Sequence, residues 1–555
     1  MSTLGRRFQS NFEGNPEKIC LRLIDHDGRR DLTWRDLLRG ASGYAGALNK
    51  AGIEPGEPVV IILEHGADLI FAFLGGILHG SIPSIMPFLT EKLSPERYRQ
   101  SLAALVEITR PACIVTYPEF GPEVEQALAG GSSVRQVLFS HEIVPSPRVD
   151  FEELDGIDVE EDAIVLLQHS SGTTGLQKGV ALSHRAVMTQ VEAYAQAISM
   201  TADDVVVSWL PLYHDMGLIA GFLMPLLLDS ALVLMSPFDW VRAPYMLMQA
   251  VSQFNGTLSW LPNFAYNFCA QKIRDKDLEG VDLASWRAVI NCSEPMRFES
   301  HQAFQERFAP YGLNGEALAT CYAMAENVFA VSQGGMEGPV TVDEIDRRAF
   351  QEDRLAAAPD EGAVIKMLSA GRPIPGTEVR ILDDDRSPLP ERRIGEIALR
   401  SNCMLSGYFH RQDLTDKAFH DGWYLTGDLG YLADGELYVS GRIKELIIVG
   451  GKNVYPQDLE ELTYDVDGVY PGRAVAFGVF NEKMGTEDVA VVAEVETTDP
   501  DELRSITNGI RAAIAKGSDV AVRYIELVPR GWMIKTSSGK PARNANRDKY
   551  LAQRT

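Results

Sequence analysis

Residues 168–180, QHSSGTTGLQKGV, concentrate the groups that bind phosphate. Glycines let the backbone approach an anion closely, successive N–H groups can form an anion-binding nest, and hydroxyls and a lysine add donors and charge. The stretch is not a P-loop, because G-x-x-x-x-G-K-[ST] is absent. A polar turn between a strand and a helix is the alternative, but the donor density after the apolar run 163–167 favours a phosphate site. Its candidate ligands are Ser170, Ser171, Gly172, Thr173, Thr174, Gly175 and Lys178.

Two further stretches carry groups suited to carboxylate and metal chemistry. In WLPLYHDMGLIAG (209–221), His214 is a candidate general base or orienting donor near a substrate carboxylate; a core histidine paired with its neighbour is the alternative. In CYAMAEN (321–327), Tyr322 offers an aromatic face and Glu326 a carboxylate. Mg²⁺ prefers one or two carboxylates together with substrate phosphates, although Glu326 could equally cap a helix.

The C-terminal third contributes three more candidates. Asp428, between glycines in GWYLTGDLGYL (422–432), suits a ribose diol because a carboxylate accepts hydrogen bonds from two hydroxyls. Arg442 in SGRIKEL is placed to bind ribose or phosphate, and Lys540 lies in the basic stretch SSGKPAR (537–543). Taken singly, each is equally well a turn residue or a solvated lysine.

The order and combination of these stretches are far more specific than any one of them. HSSGTTGLQKG, LPLYHDMG, YAMAE, GDLGYL, SGRIKELIIVGGKNVYPQDLE and KTSSGK together resemble the acyl-adenylate-forming superfamily of acyl-CoA synthetases, peptide-synthetase adenylation domains and luciferase-type enzymes. The resemblance spans nearly the whole chain. Within it, LPLYHDMGL, LPNFAYNFCAQ, SEP, YPQDLEE and KTSSGK are most similar to fatty acyl-AMP ligases.

This resemblance implies a two-step reaction. ATP activates a medium- to long-chain fatty acid to acyl-AMP with release of pyrophosphate, and the acyl group then passes to the phosphopantetheine thiol of an acyl carrier protein. Residues 342–362 resemble an insertion that disfavours CoA in those ligases, although surface loops vary readily in length. CoA stays open as the acceptor, because GGKNVYP resembles the acyl-CoA synthetase form equally well. Amino-acid adenylation through Asp215 and a non-catalytic nucleotide-binding module are further alternatives.

The same resemblance assigns residue roles. Lys540 would bridge the carboxylate and the α-phosphate, loop 170–178 would hold the β- and γ-phosphates, and Glu326 would bind Mg²⁺ with Thr173 or Thr174 nearby. Ala323 stands where the family usually has glycine. Asp428 and Arg442 would hold the ribose, His214 would lie near the substrate carboxylate, and Lys444 would be the pivot between domains. One side of the adenine would be lined by Tyr322, Ala323, Met324 and Ala325. The other side would be lined by Asn291, Cys292, Ser293 and Glu294.

These residues must be positioned by an α/β fold. A capping box from Thr33 to Asp36 predicts a helix through Lys50. Apolar runs at 58–63, 113–117, 134–140 and 163–168 predict strands that alternate with helices, which is typical of layered α/β subdomains with parallel sheets. The resemblance adds a β-barrel-like subdomain. We place an adenylation domain at 1–442 and a small mobile α+β lid domain at 443–555.

Bulk composition limits the partners and the location. The 555 residues carry a net charge of −25, which disfavours sequence-independent nucleic-acid binding. Six scattered cysteines and no signal-peptide pattern fit a cytoplasmic protein. Residues 217–235, interrupted by Pro225 and Asp229, predict a buried helix and strand rather than a stable membrane insertion. An acidic carrier would need a basic patch, for which Arg523, Arg530, Lys535 and Arg543 are candidates.

Overall fold

The computed structural model describes residues 3–25, 28–88, 95–170, 178–359, 363–449, 452–481, 486–518, 520–536 and 539–554. The helices are α1 Leu4–Gly14, α2 Trp34–Lys50, α3 Ala67–His79, α4 Pro95–Thr109, α5 Gly121–Leu128, α6 His184–Ala197, α7 Met224–Leu227, α8 Pro237–Arg242, α9 Tyr245–Phe254, α10 Asn263–Lys272, α11 Phe298–Phe308, α12 Arg347–Glu352, α13 Gln412–Ala418, α14 Pro456–Tyr464, α15 Pro500–Gly517 and α16 Arg543–Ala552.

The strands of the first half are β1 Ile19–Asp25, β2 Gly28–Thr33, β3 Pro58–Ile61, β4 Ile82–Ile85, β5 Cys113–Thr116, β6 Gln136–Phe139, β7 Ile164–Ser170, β8 Lys178–Ser183, β9 Val205–Ser208, β10 Ala231–Met235, β11 Leu258–Leu261 and β12 Ala288–Cys292. Those of the second half are β13 Leu318–Ala323, β14 Ala330–Gly334, β15 Val342–Asp346, β16 Val364–Leu368, β17 Arg372–Pro373, β18 Thr377–Leu382, β19 Gly395–Ser401, β20 Gly407–Tyr408, β21 Phe419–His420, β22 Trp423–Ala433, β23 Glu436–Arg442, β24 Ile447–Val449, β25 Lys452–Val454, β26 Val469–Asn481, β27 Thr486–Val495 and β28 Val522–Pro529.

Two sheets confirm the predicted α/β class. A four-stranded sheet, ordered β4-β3-β5-β6, is parallel throughout; β3, β4 and β5 are almost fully buried, and the edge strand β6 is partly exposed. A nine-stranded sheet, ordered β17-β14-β13-β12-β11-β9-β10-β1-β2, is parallel from β1 to β13. The predicted capping box is also present: Thr33 and Asp36 exchange hydrogen bonds at the start of α2. Ligands of open parallel sheets bind beyond the carboxyl ends of the strands, which directs attention to the ends of β12 and β13.

The antiparallel parts of the large domain carry the remaining candidates. Strands β18, β19, β21, β22 and β23 form an antiparallel sheet in the region of the expected barrel-like subdomain. Strand β7 pairs antiparallel with β8, so the expectation that β7 joins a parallel sheet and leads into a helix is wrong. Lys178 is the first residue of β8, which pairs with β7.

The C-terminal part has its own core. Helices α14 and α15 pack on the sheet β26-β27-β28, burying Leu459, Ile510, Ile514 and Val491 among others. Residues 217–235 form a buried π-helical segment, α7 and β10, as the helix-then-strand prediction required. In the part of the chain that the structure describes, each helix is too short or too polar to cross a membrane.

Candidate active site

A buried carboxylate and a lysine meet at one tyrosine. The Tyr408 hydroxyl donates to Glu326 Oε1 at 2.9 Å and lies 2.9 Å from the Tyr424 hydroxyl. The Lys178 amine lies 4.5 Å from the centre of the Tyr408 ring. Burial raises the pKa of Glu326, while Tyr408 and Lys178 oppose that rise. Burial also lowers the pKa of Lys178, and the negative charge of Glu326 raises it. The strands β8 and β20 pair directly, which brings Lys178 and Tyr408 together.

A second carboxylate, Asp428, is held between Tyr322 and Arg442. The Tyr322 hydroxyl donates to Asp428 Oδ2 at 2.6 Å, and Arg442 Nε lies 3.2 Å from Asp428 Oδ1. Burial raises the pKa of Asp428, and the Arg442 charge opposes that rise. The adjacent strands β22 and β23 place Asp428 opposite Arg442, and Tyr322 reaches them from β13. The pair predicted for the ribose is thus assembled with the tyrosine predicted for the adenine.

The end of β12 and the two residues after it carry the positions predicted for the other side of the adenine. The side chains of Asn291 and Cys292 are fully buried, so neither is open to a ligand in this structure. Asn291 Nδ2 donates instead to Asn263 Oδ1 at 2.9 Å. Ser293 adopts a left-handed backbone conformation with φ of 68°, and Glu294 Oε2 accepts a hydrogen bond from the Phe264 N–H at 2.9 Å. The part of this segment that remains for an adenine is therefore 293–294.

Lys540 reaches this same segment from the C-terminal domain. Its amine donates to the Ser293 carbonyl oxygen. Near the lysine, Thr536 N–H donates to the Lys540 carbonyl at 2.8 Å, and Gly539 N–H donates to the Thr536 carbonyl at 2.8 Å. Gly539 has φ of +87°, a conformation that favours glycine. Two residues 247 positions apart thus meet at one point.

The other predicted residues are placed as follows. His214 Nδ1 lies 3.4 Å from Asp215 Oδ1, and Asp215 also caps the following π-helical segment through the Met216 N–H at 2.8 Å. Lys444 is exposed in the short segment Ile443–Glu445 between the two domains. Ala323 ends β13, with Met324 and Ala325 directly after it. Ser171, Gly172, Thr173, Thr174 and Gly175 lie outside the described residues, and Ser170 is described only as the last residue of β7.

Sequence reasoning missed three residues. The Tyr408 hydroxyl contacts Glu326 directly, and the Tyr424 hydroxyl contacts that of Tyr408. Arg297 joins the two domains through Asp458. The only local signal for Tyr408 is an aromatic residue after a glycine in SGYF, which is too common to single out. One tentative assignment is wrong: Arg543 is mostly buried against Glu445 and Glu460, so it is not part of an open basic patch for a carrier.

Comparisons with known proteins show the family of the chain. Residues 8–409 match the family described as AMP-binding enzyme. The chain is 30% identical to the medium-chain-fatty-acid–[acyl-carrier-protein] ligase JamA of Moorena producens, over 94% of this chain and 90% of that protein. It is 30% identical to the long-chain-fatty-acid–AMP ligase FadD26 of Mycobacterium marinum, over 96% and 95%. A solved structure from studies of fatty acyl-adenylate ligases of E. coli and L. pneumophila superposes with a TM-score of 0.90 at 29% identity, covering 100% and 98%.

Proposed function

This chain belongs to the family of AMP-binding enzymes and is an ATP-dependent acyl-adenylate-forming ligase, and from that premise we propose that it activates a fatty acid and passes the acyl group to the thiol of an acyl carrier protein. The observation that carries the proposal is the contact of Lys540 with the Ser293 carbonyl, because it brings a cation from the small domain against the nucleotide wall of the large domain.

Adenylation brings one anion against another. A carboxylate oxygen attacks the α-phosphorus of ATP, a new P–O bond forms, and the bond to the departing pyrophosphate breaks. The protein must supply positive charge and hold the reactants in line. We assign Lys540 to the carboxylate and α-phosphate oxygens and Lys178 to the pyrophosphate. Asp428 and Arg442 would hold the ribose, and Tyr322 the adenine. His214, in contact with Asp215, would orient the substrate carboxylate.

Glu326 suits the predicted Mg²⁺. Its carboxylate is buried and its pKa is raised by that burial, so a cation beside it would offset the cost of the ionised form. Oxygen ligands are those that Mg²⁺ prefers, and Glu326 supplies them here; Thr173 and Thr174 stay predictions as its neighbours. When bound, Mg²⁺ would neutralise phosphate charge. The Tyr408 hydroxyl fixes one oxygen of that carboxylate in place.

Two features favour an aliphatic acid over an amino acid. The segment Met216–Leu223 is apolar throughout and begins two positions after His214, which would suit a hydrocarbon chain near the reacting carboxylate. The aromatic side chains of α10 add Phe264 and Phe268 against Trp240. An amino-acid substrate needs a buried acid for its ammonium group, and Asp215, whose Oδ1 accepts the Met216 N–H, is the acid that would have to serve.

The proposed insertion 342–362 favours a carrier protein over CoA. Its helix α12 contacts the C-terminal domain: the Phe350 and Tyr455 rings lie 5.2 Å apart, Asn453 Nδ2 donates to the Gln351 carbonyl at 3.4 Å, and Arg347 donates to the Gly517 carbonyl. These contacts would restrain the domain rotation that opens the site to a free thiol. CoA as the acceptor is the second candidate, supported by the GGKNVYP stretch. A cytoplasmic location stays a prediction from composition.

The decisive experiment separates the two acceptors and tests Lys540. The enzyme is incubated with ATP, Mg²⁺ and a panel of fatty acids, and then with CoA or a phosphopantetheinylated carrier protein. Acyl-carrier as the major product supports the proposal, and acyl-CoA as the major product would refute it. Lys540→Ala should lower acyl-AMP formation by about 10²–10³, the cost of one transition-state donor. Lys516→Ala, an exposed lysine of the same domain, is the matched control and should leave the rate unchanged.

A further inference from the structure

Helix α14 is held by two arginines from opposite sides of the domain boundary. From the large domain, Arg297 Nη2 donates to Asp458 Oδ1 at 2.8 Å, and its Nε lies 3.2 Å from Glu461 Oε2. From the C-terminal domain, Arg543 donates to both oxygens of Glu460, at 2.8 and 2.7 Å. Residues three apart lie on one helix face, so Asp458 and Glu461 face the large domain together while Glu460 faces away.

Arg543 connects this helix to Lys540. Only two residues separate them, and the turn that carries Lys540 is closed by Asn546, which bonds to the Ile534 N–H and carbonyl at 2.8 Å each and to the Ala542 carbonyl at 2.9 Å. Asn546 is fully buried. A bidentate arginine–carboxylate pair also fixes orientation as well as distance. The position of the lysine turn therefore follows the position of α14.

Arg297 connects the same helix to the segment that Lys540 contacts. It lies four positions after Ser293 in the loop between β12 and α11. Its backbone N–H donates to Asn263 Oδ1 at 3.1 Å, and that oxygen also accepts from Asn291. A continuous series of contacts therefore links Ser293 to Lys540 and, through Arg543, to α14. Arg297 then links α14 back to the segment that contains Ser293.

We propose that Arg297 is a positioning residue for adenylation: it clasps Asp458 and Glu461 and so sets α14, and through it Lys540, against Ser293. This rests on the role proposed for Lys540. Because Arg297 and its two partners lie in different domains, rotation of the C-terminal domain must break the clasp. The bond between Arg543 and Glu460 lies within one domain and survives that rotation. Arg297 therefore acts in the first half-reaction and not in the second.

The test measures the two half-reactions separately. Arg297→Ala should lower the rate of acyl-AMP formation about tenfold, because two partly exposed charge pairs that set the position of α14 are lost. Transfer from chemically prepared acyl-AMP to the thiol that the wild type uses should change less than twofold. Arg297→Lys should recover part of the adenylation rate. The matched control is Arg274→Ala, which breaks the exposed pair with Asp277 in the same domain and should change neither step.

A loss that is equal in both half-reactions, or no loss in the first, would overturn the clasp. Asp458→Asn combined with Glu461→Gln removes the same contacts from the other side and should reproduce the split, which keeps the test valid if Arg297→Ala folds poorly. If the wild type and every variant form no acyl-AMP, the proposed function fails rather than the clasp.

A distance measurement tests the clasp without activity. The six native cysteines are buried, so spin labels can be attached at Ala303→Cys on α11 and Ala512→Cys on α15, both exposed. In the Arg297→Ala background the distribution of distances between the two labels should broaden or shift. An unchanged distribution would overturn the proposal.

Discussion

Tyr408→Phe isolates one hydroxyl at the centre of the site. The change keeps the ring on which the Lys178 amine lies at 4.5 Å, so that cation–π contact stays. It removes the hydrogen bond to Glu326 Oε1 and the contact with the Tyr424 hydroxyl, both 2.9 Å long. Glu326 then loses a donor in a buried position, and the proposed metal ligand is less well oriented.

The size of the effect follows from the charge on Glu326. A hydrogen bond to a charged group contributes about 1.5–3 kcal/mol, and ~2 kcal/mol corresponds to ~30-fold in an equilibrium constant. We therefore expect the Mg²⁺ concentration for half-maximal adenylation to rise by up to ~30-fold. Burial raises the pKa of Glu326 and the Tyr408 hydroxyl opposes this. Its removal raises that pKa further, so the acidic limb of the rate profile should move to higher pH.

The assay is pyrophosphate exchange measured across Mg²⁺ concentrations and pH. Tyr424→Phe is the matched control, because the Tyr424 hydroxyl contacts the Tyr408 hydroxyl and reaches Glu326 only through it. It should give a smaller shift in the same direction. If Tyr408→Phe leaves both the Mg²⁺ dependence and the acidic limb where the wild type has them, the assignment of Glu326 as the metal ligand is wrong.

Two further changes test stability and acceptor choice. Arg287→Ala removes the bidentate partner of buried Asp204, at 2.8 and 2.9 Å, and should lower the free energy of unfolding in a denaturant titration by about 3 kcal/mol. Burial alone would raise the pKa of Asp204, but the hydrogen bonds from Arg287 and other donors hold that pKa below its usual value. The stabilisation by ionised Asp204 is therefore lost as pH falls. The difference in free energy of unfolding between wild type and variant should narrow in acid. Phe350→Ala removes the ring that packs on Tyr455 and should raise the ratio of acyl-CoA to acyl-carrier product; an unchanged ratio would count against a restraining role for α12.

Local signals in the sequence predicted local structure well. The Thr33–Asp36 capping box marks the start of α2, and the apolar run at 58–63 marks a strand that is buried in a parallel sheet. The run at 163–168 is equally apolar, but its strand β7 pairs antiparallel with β8. Side-chain alternation and apolar content do not encode the direction of the partner strand, which depends on the rest of the sheet. The prediction that this run joins a parallel sheet was therefore wrong for β7.

Such local signals could not predict contacts between residues that are distant in the sequence. Tyr408 and Glu326 are 82 positions apart, and their pairing depends on β20 joining β8 while β13 ends beside them. The family resemblance assigned Asn291 to the adenine, yet it lies in the fully buried strand β12 and its amide bonds to Asn263.

The distribution of charge gives a reason for the proposed catalytic cation, Lys540, to come from another domain. In the large domain, Arg442 faces Asp428 and Lys178 faces Glu326, so each cation is largely balanced before a nucleotide binds. Adding an unbalanced cation there would be costly, since burial and the charges of Lys444 and Arg411 already lower the pKa of Lys178. Lys540 avoids this cost because its amine contacts a neutral carbonyl at the domain boundary. A cation brought by a second domain can meet the reacting anions in one half-reaction and be withdrawn in the next, which a lysine fixed within the large domain could not do.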